Sequence, residues 1–126
     1  MKLSITIQTP EVPRSIPVAL LTGSLEEKMA KAARWGADGI EFMTCNPREL
    51  DPAEIKSCLY AHGLEASAVA SGAITMSLGI TLLHSDPASA DLARIRLFEL
   101  IDFAEAIGAP LVTIGSFRGK LAYVES

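Results

Sequence analysis

The chain has 126 residues, of which 49% are hydrophobic, so its length and composition predict one domain with a buried core. Its net charge of −4 offers no basic surface, which argues against nucleic acid as a partner. Neither cysteine, Cys45 nor Cys58, lies in a CxxC or His-rich motif, so we expect reduced thiols in a cytoplasmic protein.

Apolar runs alternate with capped helices along the chain. Helices are predicted from the cap Ser24 to Gly36, from Asp51 to Gly63 and, longest, from Asp86 to Gly108. One apolar run opens the chain and one follows each helix, in the order "LSITIQT", "DGIEFMT", "EASAVAS" and "PLVTIGSF". These runs are apolar on both faces, which is typical of parallel strands covered by helices. The final residues 120–126 could open a further helix.

Residues 66–83 carry no charge over 18 positions, which is long enough to raise the question of a membrane span. Seven of the 18 are Ser, Thr or Gly, and no aromatic or basic belt flanks them. We therefore predict a buried strand followed by a loop of small residues, and no membrane partner.

Two architectures fit repeated strand–helix units: an open, doubly wound sheet and part of a (β/α)8 barrel. A dinucleotide-binding sheet would place GxGxxG after its first strand. The residues there are "QTPEVPRSIPVALLTG", which contain no such motif. The even repetition favours four strands of a barrel, within a single domain over residues 1–126 because no Pro- or Ser-rich linker divides them.

Three phrases resemble the sugar phosphate isomerase/epimerase family of xylose isomerase-like TIM barrels. They are "WGADGIEF" at 35–42, "GLEASAVASG" at 63–72, and the run from "LLHSDP" to "GAPLVTIGSFRG" at 82–119. The resemblance extends from Ile5 to Gly119 and implies a (β/α)8 barrel of which this chain holds the first four strands. It therefore implies an N-terminal half, with a missing C-terminal half or a homodimer to complete it.

The resemblance also implies an activity: metal-assisted proton transfer next to the carbonyl of a sugar or small hydroxy-carbonyl compound. A full-length member would be expected to hold a divalent metal (Mn, Mg or Zn) on later strands. We therefore expect this chain alone to hold no metal and to be inactive. Two alternatives stay open: a non-catalytic half-barrel that acts as an assembly unit, and a module that binds a small anion. An apurinic endonuclease is a weaker third, because the third and fourth strands end without histidine.

Barrel sites lie at the carboxyl ends of the strands, and this rule selects the candidate residues. The substrate-binding candidates are polar residues at those ends, namely Gln8, Ser71, Ser116 and Arg118. Strand alternation predicts that Ser116 and Arg118 share a face. The guanidinium suits a carboxylate, phosphate or hydroxyl.

The roles of three charged or titratable residues stay open between function and structure. Arg118 could bind substrate or form an ion pair with Glu41. Glu41 could support proton transfer or be a satisfied polar group inside the barrel. His84 could contact a metal or substrate, or be an ordinary surface residue.

Overall fold

The computed structural model describes residues 1–121 and contains one sheet of four parallel strands in the order β1-β2-β3-β4. The strands are β1 (Ser4–Gln8), β2 (Gly39–Met43), β3 (Glu65–Ala70) and β4 (Val112–Thr113). The helices are α1 (Leu25–Arg34), α2 (Pro52–Ala61), α3 (Gly72–Leu78) and α4 (Pro87–Ile107), with 3-10 turns at Pro47–Glu49 and Gly115–Arg118. Four parallel strands alternating with helices confirm the predicted fold class.

The two faces of the sheet differ in chemistry because alternate residues point to opposite sides. Ile7 pairs with Phe42 on the face that α4 covers, and the Phe42 and Phe103 rings meet edge to face at 6.5 Å. Thr6 pairs with Glu41 on the opposite face. The apolar core therefore lies between the sheet and its helices, and the opposite face carries polar groups.

The predicted helix caps are confirmed. The Ser24 hydroxyl accepts the Glu27 amide at 3.1 Å, and the Asp51 carboxylate accepts the Ala53 amide at 3.0 Å. Gly108 ends α4 in the left-handed region at φ 80°. These local signals set the helix bounds, because each cap satisfies amides that have no partner within the helix.

Asp86, the cap of α4, makes stability dependent on pH. The hydroxyl and amide of Ser89 donate to its carboxylate at 2.8 and 3.2 Å, and these bonds hold the pKa of Asp86 below its ordinary value. The stabilisation is therefore present above the unfolded pKa of about 4 and is lost as pH falls through the lower folded pKa. Asp86→Asn keeps a cap but removes the charge. Thermal unfolding should show a deficit in its Tm at neutral pH that disappears in acid; a deficit constant with pH would contradict this.

Residues 72–78 form the helix α3, where a loop of small residues was predicted. Ala73 and Ile74 of this helix are fully buried, and Gly79 ends it at φ 68°. The prediction was wrong because burial of two apolar side chains, a tertiary effect, outweighs the weak helical signal of a Ser-Gly start.

The fourth strand is shorter than the predicted run over 110–117. Only Val112 and Thr113 pair with β3, and the chain then turns at Gly115 (φ 37°) into a 3-10 turn. Phe117 in that turn is fully buried. The apolar run predicts a single strand, but its last residues form a 3-10 turn that buries Phe117.

No helix within residues 1–121 is long and apolar enough to cross a membrane. Of the helix suggested at 120–126, residues 122–126 lie outside the described part of the chain.

Candidate functional site

Gln8 ends β1, and its side-chain amide bonds to the loop that follows. Its Nε2 donates to the Arg14 carbonyl at 2.9 Å, and its Oε1 accepts the Ile16 amide at 2.8 Å. Both ends of the amide thus hold the loop against the strand. In this structure Gln8 positions the loop after β1 at the carboxyl edge of the sheet, which we call the rim, through its two bonds to backbone.

Ser71 follows β3 and is buried, with only 1% of its surface exposed. Its hydroxyl donates to the Thr113 carbonyl at 2.6 Å and approaches the Ile114 carbonyl at 3.1 Å. Ser71 therefore joins the carboxyl ends of β3 and β4. Because its hydroxyl proton is donated to a backbone carbonyl, it is not available to a ligand.

Ser116 and Arg118 lie in the 3-10 turn after β4, so the alternation predicted for them is wrong. Both side chains are exposed. The backbone carbonyl of Arg118 accepts the Leu83 amide at 3.1 Å, which attaches the turn to the loop after α3. Within residues 1–121 no ion pair joins Arg118 to Glu41. The guanidinium is therefore presented to solvent at the rim.

Glu41 and His84 do not meet in the described structure. Glu41 is half-buried in the middle of β2 and accepts the Thr6 hydroxyl at 3.2 Å. His84 lies between α3 and α4, where its Nδ1 accepts the Asp86 amide at 3.0 Å. Each has a structural partner, so neither role proposed from the sequence is excluded or required.

Sequence reasoning missed a group of polar residues that we call the Glu11 cluster: Glu11, Lys28, Thr44, Cys45 and Asn46. Glu11 Oε1 accepts a hydrogen bond from the Thr44 hydroxyl, and it also accepts the backbone amides of Cys45 and Asn46 at 3.1 and 3.3 Å. One carboxylate thus connects the loop after β1 to the residues that follow β2.

Burial shifts the pKa of two members of the Glu11 cluster. Desolvation lowers the pKa of Lys28, which the nearby Glu11 charge partly offsets, and its Nζ donates to the Gln8 carbonyl at 2.8 Å. Desolvation and the Glu11 charge both raise the pKa of the Cys45 thiol. The cysteine is therefore held as a neutral thiol, which disfavours a role as a nucleophile.

Two acceptors in the cluster, Glu11 Oε2 and Asn46 Oδ1, are buried without a hydrogen-bond partner among the described residues. Buried polar groups normally have partners, so these atoms could accept a hydrogen bond from a bound water or hydroxyl. The available sequence signal was an acid in the first strand–helix loop, between Pro10 and Pro13.

A family model described as a xylose isomerase-like TIM barrel matches residues 29–125, more than half of the chain. The chain belongs to the xylose isomerase-like TIM-barrel family. No curated protein matches the chain by sequence.

Solved structures of barrels agree with this membership. One is a D-allulose 3-epimerase from Methylomonas sp. in complex with D-allulose, 26% identical over 69% of this chain, with a TM-score of 0.58. The same enzyme with additional C-terminal residues is 22% identical over 88% of this chain, at 0.61. An AP endonuclease, family 2, from Brucella melitensis is 18% identical over 89%, at 0.57. The chain spans 29%, 36% and 40% of these three structures, in that order.

The described residues 1–121 do not bring together a set of side chains that fits a divalent metal. Within residues 1–121 no three His, Cys, Asp or Glu side chains are placed to share an ion. The Glu11, Glu41 and His84 side chains, which could act as ligands, are each bonded to separate protein partners. Among the predicted site residues, the described part of the chain therefore exposes the Ser116 hydroxyl and the Arg118 guanidinium for binding.

Proposed function

We propose that this chain forms one side of the substrate pocket of a sugar isomerase or epimerase. The observation that carries the proposal is the 26% identity to a D-allulose 3-epimerase, together with the phrases that resemble sugar phosphate isomerases and epimerases. The reaction proposed is proton transfer next to the carbonyl of a sugar or small hydroxy-carbonyl compound.

The exposed groups at the carboxyl rim are proposed to contact substrate. The side chains of Arg118 and Ser116 are exposed, so these two could bind hydroxyl groups or an anion. Gln8 and Ser71 are proposed to act by holding the rim, since their polar atoms already bond to backbone. Glu41 and His84 are retained as supporting groups.

We propose that the catalytic base and the metal ligands come from strands other than the four described here. Proton abstraction needs a base within hydrogen-bond reach of the substrate, and a metal would need a convergent set of donors. Residues 1–121 provide no convergent set of metal donors. We therefore propose that the chain binds one side of the substrate but does not catalyse the reaction alone.

We expect the purified chain, with Mn²⁺ or Mg²⁺, to convert no D-fructose to D-allulose above a protein-free control, as followed by chromatography. A chimera that joins residues 1–121 to the later strands of the Methylomonas epimerase should recover conversion. In that chimera Arg118→Ala should lower kcat/KM by about tenfold or more, the loss of a charge-assisted hydrogen bond.

The control is Arg94→Ala, which removes an exposed arginine paired with Asp91 on α4. It should change kcat/KM by less than about twofold. Conversion of D-fructose by the purified chain alone would contradict the proposal that it forms only one side of the substrate pocket. A folded chimera that is inactive on ketohexoses would contradict the sugar assignment.

Phosphate binding without metal is the outcome that would favour the small-anion module instead. Thermal shift in phosphate and in ketohexose, each with and without Mn²⁺, separates the two hypotheses. The likeness to the AP endonuclease is one of fold, and the net charge of −4 gives no support to DNA as the substrate.

A further inference from the structure

The 3-10 turn Gly115–Arg118, which we call the Arg118 turn, is anchored at its beginning to the end of β3. The Ser71 hydroxyl donates to the carbonyl of Thr113, two residues before the turn, at 2.6 Å. Phe117 inside the turn is fully buried, whereas the Arg118 side chain is exposed. The turn is therefore attached to the core while its guanidinium stays at the surface.

A second attachment comes from the loop between α3 and α4. The Leu82 amide donates to the Phe117 carbonyl at 2.9 Å, and the Leu83 amide donates to the Arg118 carbonyl at 3.1 Å. Two consecutive backbone bonds require the turn to run close along this loop. They also fix the backbone of Arg118 itself, from which its side chain extends.

Gly119, directly after the turn, is what allows this close approach. Its φ of 83° lies in a region that favours glycine. A Cβ at this position would lie 2.7 Å from the Cβ of Thr81, whereas carbon atoms that are not bonded pack best at about 3.5–4.0 Å. Rotation of the Thr81 side chain cannot relieve the contact, because its Cβ is fixed to the backbone. A side chain at position 119 would therefore push the Arg118 turn away from Leu82 and Leu83.

We propose that Gly119 is a positioning residue of the substrate site: its contact with Thr81 holds the Arg118 turn against the loop and so directs the Arg118 guanidinium toward the substrate. This inference rests on the proposed role of Arg118 in substrate binding. The test must therefore separate a displaced turn from a site that does not bind sugar at all.

A matched pair of glycines tests the contact with Thr81. Gly36 ends α1 at a φ of 86°, and no described heavy atom lies within 4 Å of a Cβ added there. Gly36→Ala therefore introduces a comparable φ strain without the contact. Thr81→Gly, alone and combined with Gly119→Ala, removes the atoms that the new Cβ would meet.

Amide hydrogen exchange of the full 126-residue chain reports whether the turn is displaced. Relative to the amides of α4, which report overall stability, Gly119→Ala should lower protection at Leu82 and Leu83 about tenfold or more. Gly36→Ala should leave that ratio unchanged, and adding Thr81→Gly to Gly119→Ala should recover most of the loss. Unchanged protection at both amides would overturn the inference.

NMR titration of the full chain with D-allulose, the sugar in the Methylomonas epimerase complex, reports binding. Gly119→Ala and Arg118→Ala should each raise the dissociation constant about fivefold or more. Together they should raise it no further than Arg118→Ala alone, because Gly119 acts through Arg118. Gly36→Ala should change it by less than about twofold, and Thr81→Gly should restore most of the affinity of Gly119→Ala.

The outcomes distinguish this inference from the proposed function. Binding that Arg118→Ala weakens and Gly119→Ala does not would overturn the inference alone, as would losses that add in the double variant. D-allulose that shifts no amide resonance of the wild-type chain would contradict the proposed substrate site and overturn this inference with it.

Discussion

Replacement of Phe42 by alanine is expected to lower the free energy of unfolding by about 3–5 kcal/mol. Phe42 is fully buried at the centre of β2 and packs against Phe103 of α4 with the two rings nearly perpendicular. The substitution removes one of the two phenylalanine rings that pack between β2 and α4. It also removes the edge-to-face contact, which contributes about 0.5–1.5 kcal/mol beyond area burial.

Urea unfolding followed by circular dichroism measures this effect. Tyr60→Ala, which truncates an aromatic ring that is almost fully exposed, is the matched control and should cost less than about 0.5 kcal/mol. Ile40→Val, a one-methylene deletion at a fully buried position of the same strand, should cost about 0.5–1.5 kcal/mol. A loss below about 1 kcal/mol for Phe42→Ala would mean that α4 does not pack on the sheet as described.

Replacement of Glu11 by alanine is expected to cost about 2–4 kcal/mol, because it leaves several buried groups unpaired at once. The Thr44 hydroxyl and the amides of Cys45 and Asn46 lose their shared acceptor. Lys28, which is 7% exposed, loses the negative charge nearest to it. Glu11→Gln keeps one carbonyl acceptor and should cost less than Glu11→Ala.

Two measurements separate this effect from a general loss of stability. Urea unfolding gives the free energy, and amide hydrogen exchange should show the largest loss of protection at Cys45 and Asn46. Glu65→Ala, which removes an exposed acid paired with exposed Lys2, is the control and should stay within about 0.5 kcal/mol. Unchanged exchange at Cys45 and Asn46 would show that the Glu11 bonds do not hold the loop.

The candidate site was predictable only where local chemistry decides it. The carboxyl ends of the strands were chosen from the barrel rule; Gln8 is the last residue of β1, and Ser71, Ser116 and Arg118 follow β3 and β4. The partners of those side chains could not be predicted, because they come from carbonyls and amides distant in sequence. Ser71, for example, donates to a carbonyl 42 residues away.

The Glu11 cluster could not be predicted for the same reason, because its hydrogen-bond partners are distant in sequence. Glu11 stands 33 to 35 residues before the three groups it accepts from. Nothing in the pattern around Glu11 signals those partners, since the parallel pairing of β1 with β2 brings them together only after folding.

The sequence by itself determined the elements whose cause is local: caps at Ser24, Asp51 and Asp86, glycine ends, and apolar runs long enough for buried parallel strands. Those signals were sufficient for four parallel strands, whereas the family was predicted from the resemblance of three phrases at 35–42, 63–72 and 82–119. Tertiary structure decided the rest, where burial of a few side chains competes with weak local preference. It folded Gly72–Leu78 into a helix around Ala73 and Ile74, and it ended β4 after Thr113 so that Phe117 could be buried. The physical reason is that burying such side chains outweighs the small free-energy differences between local backbone states.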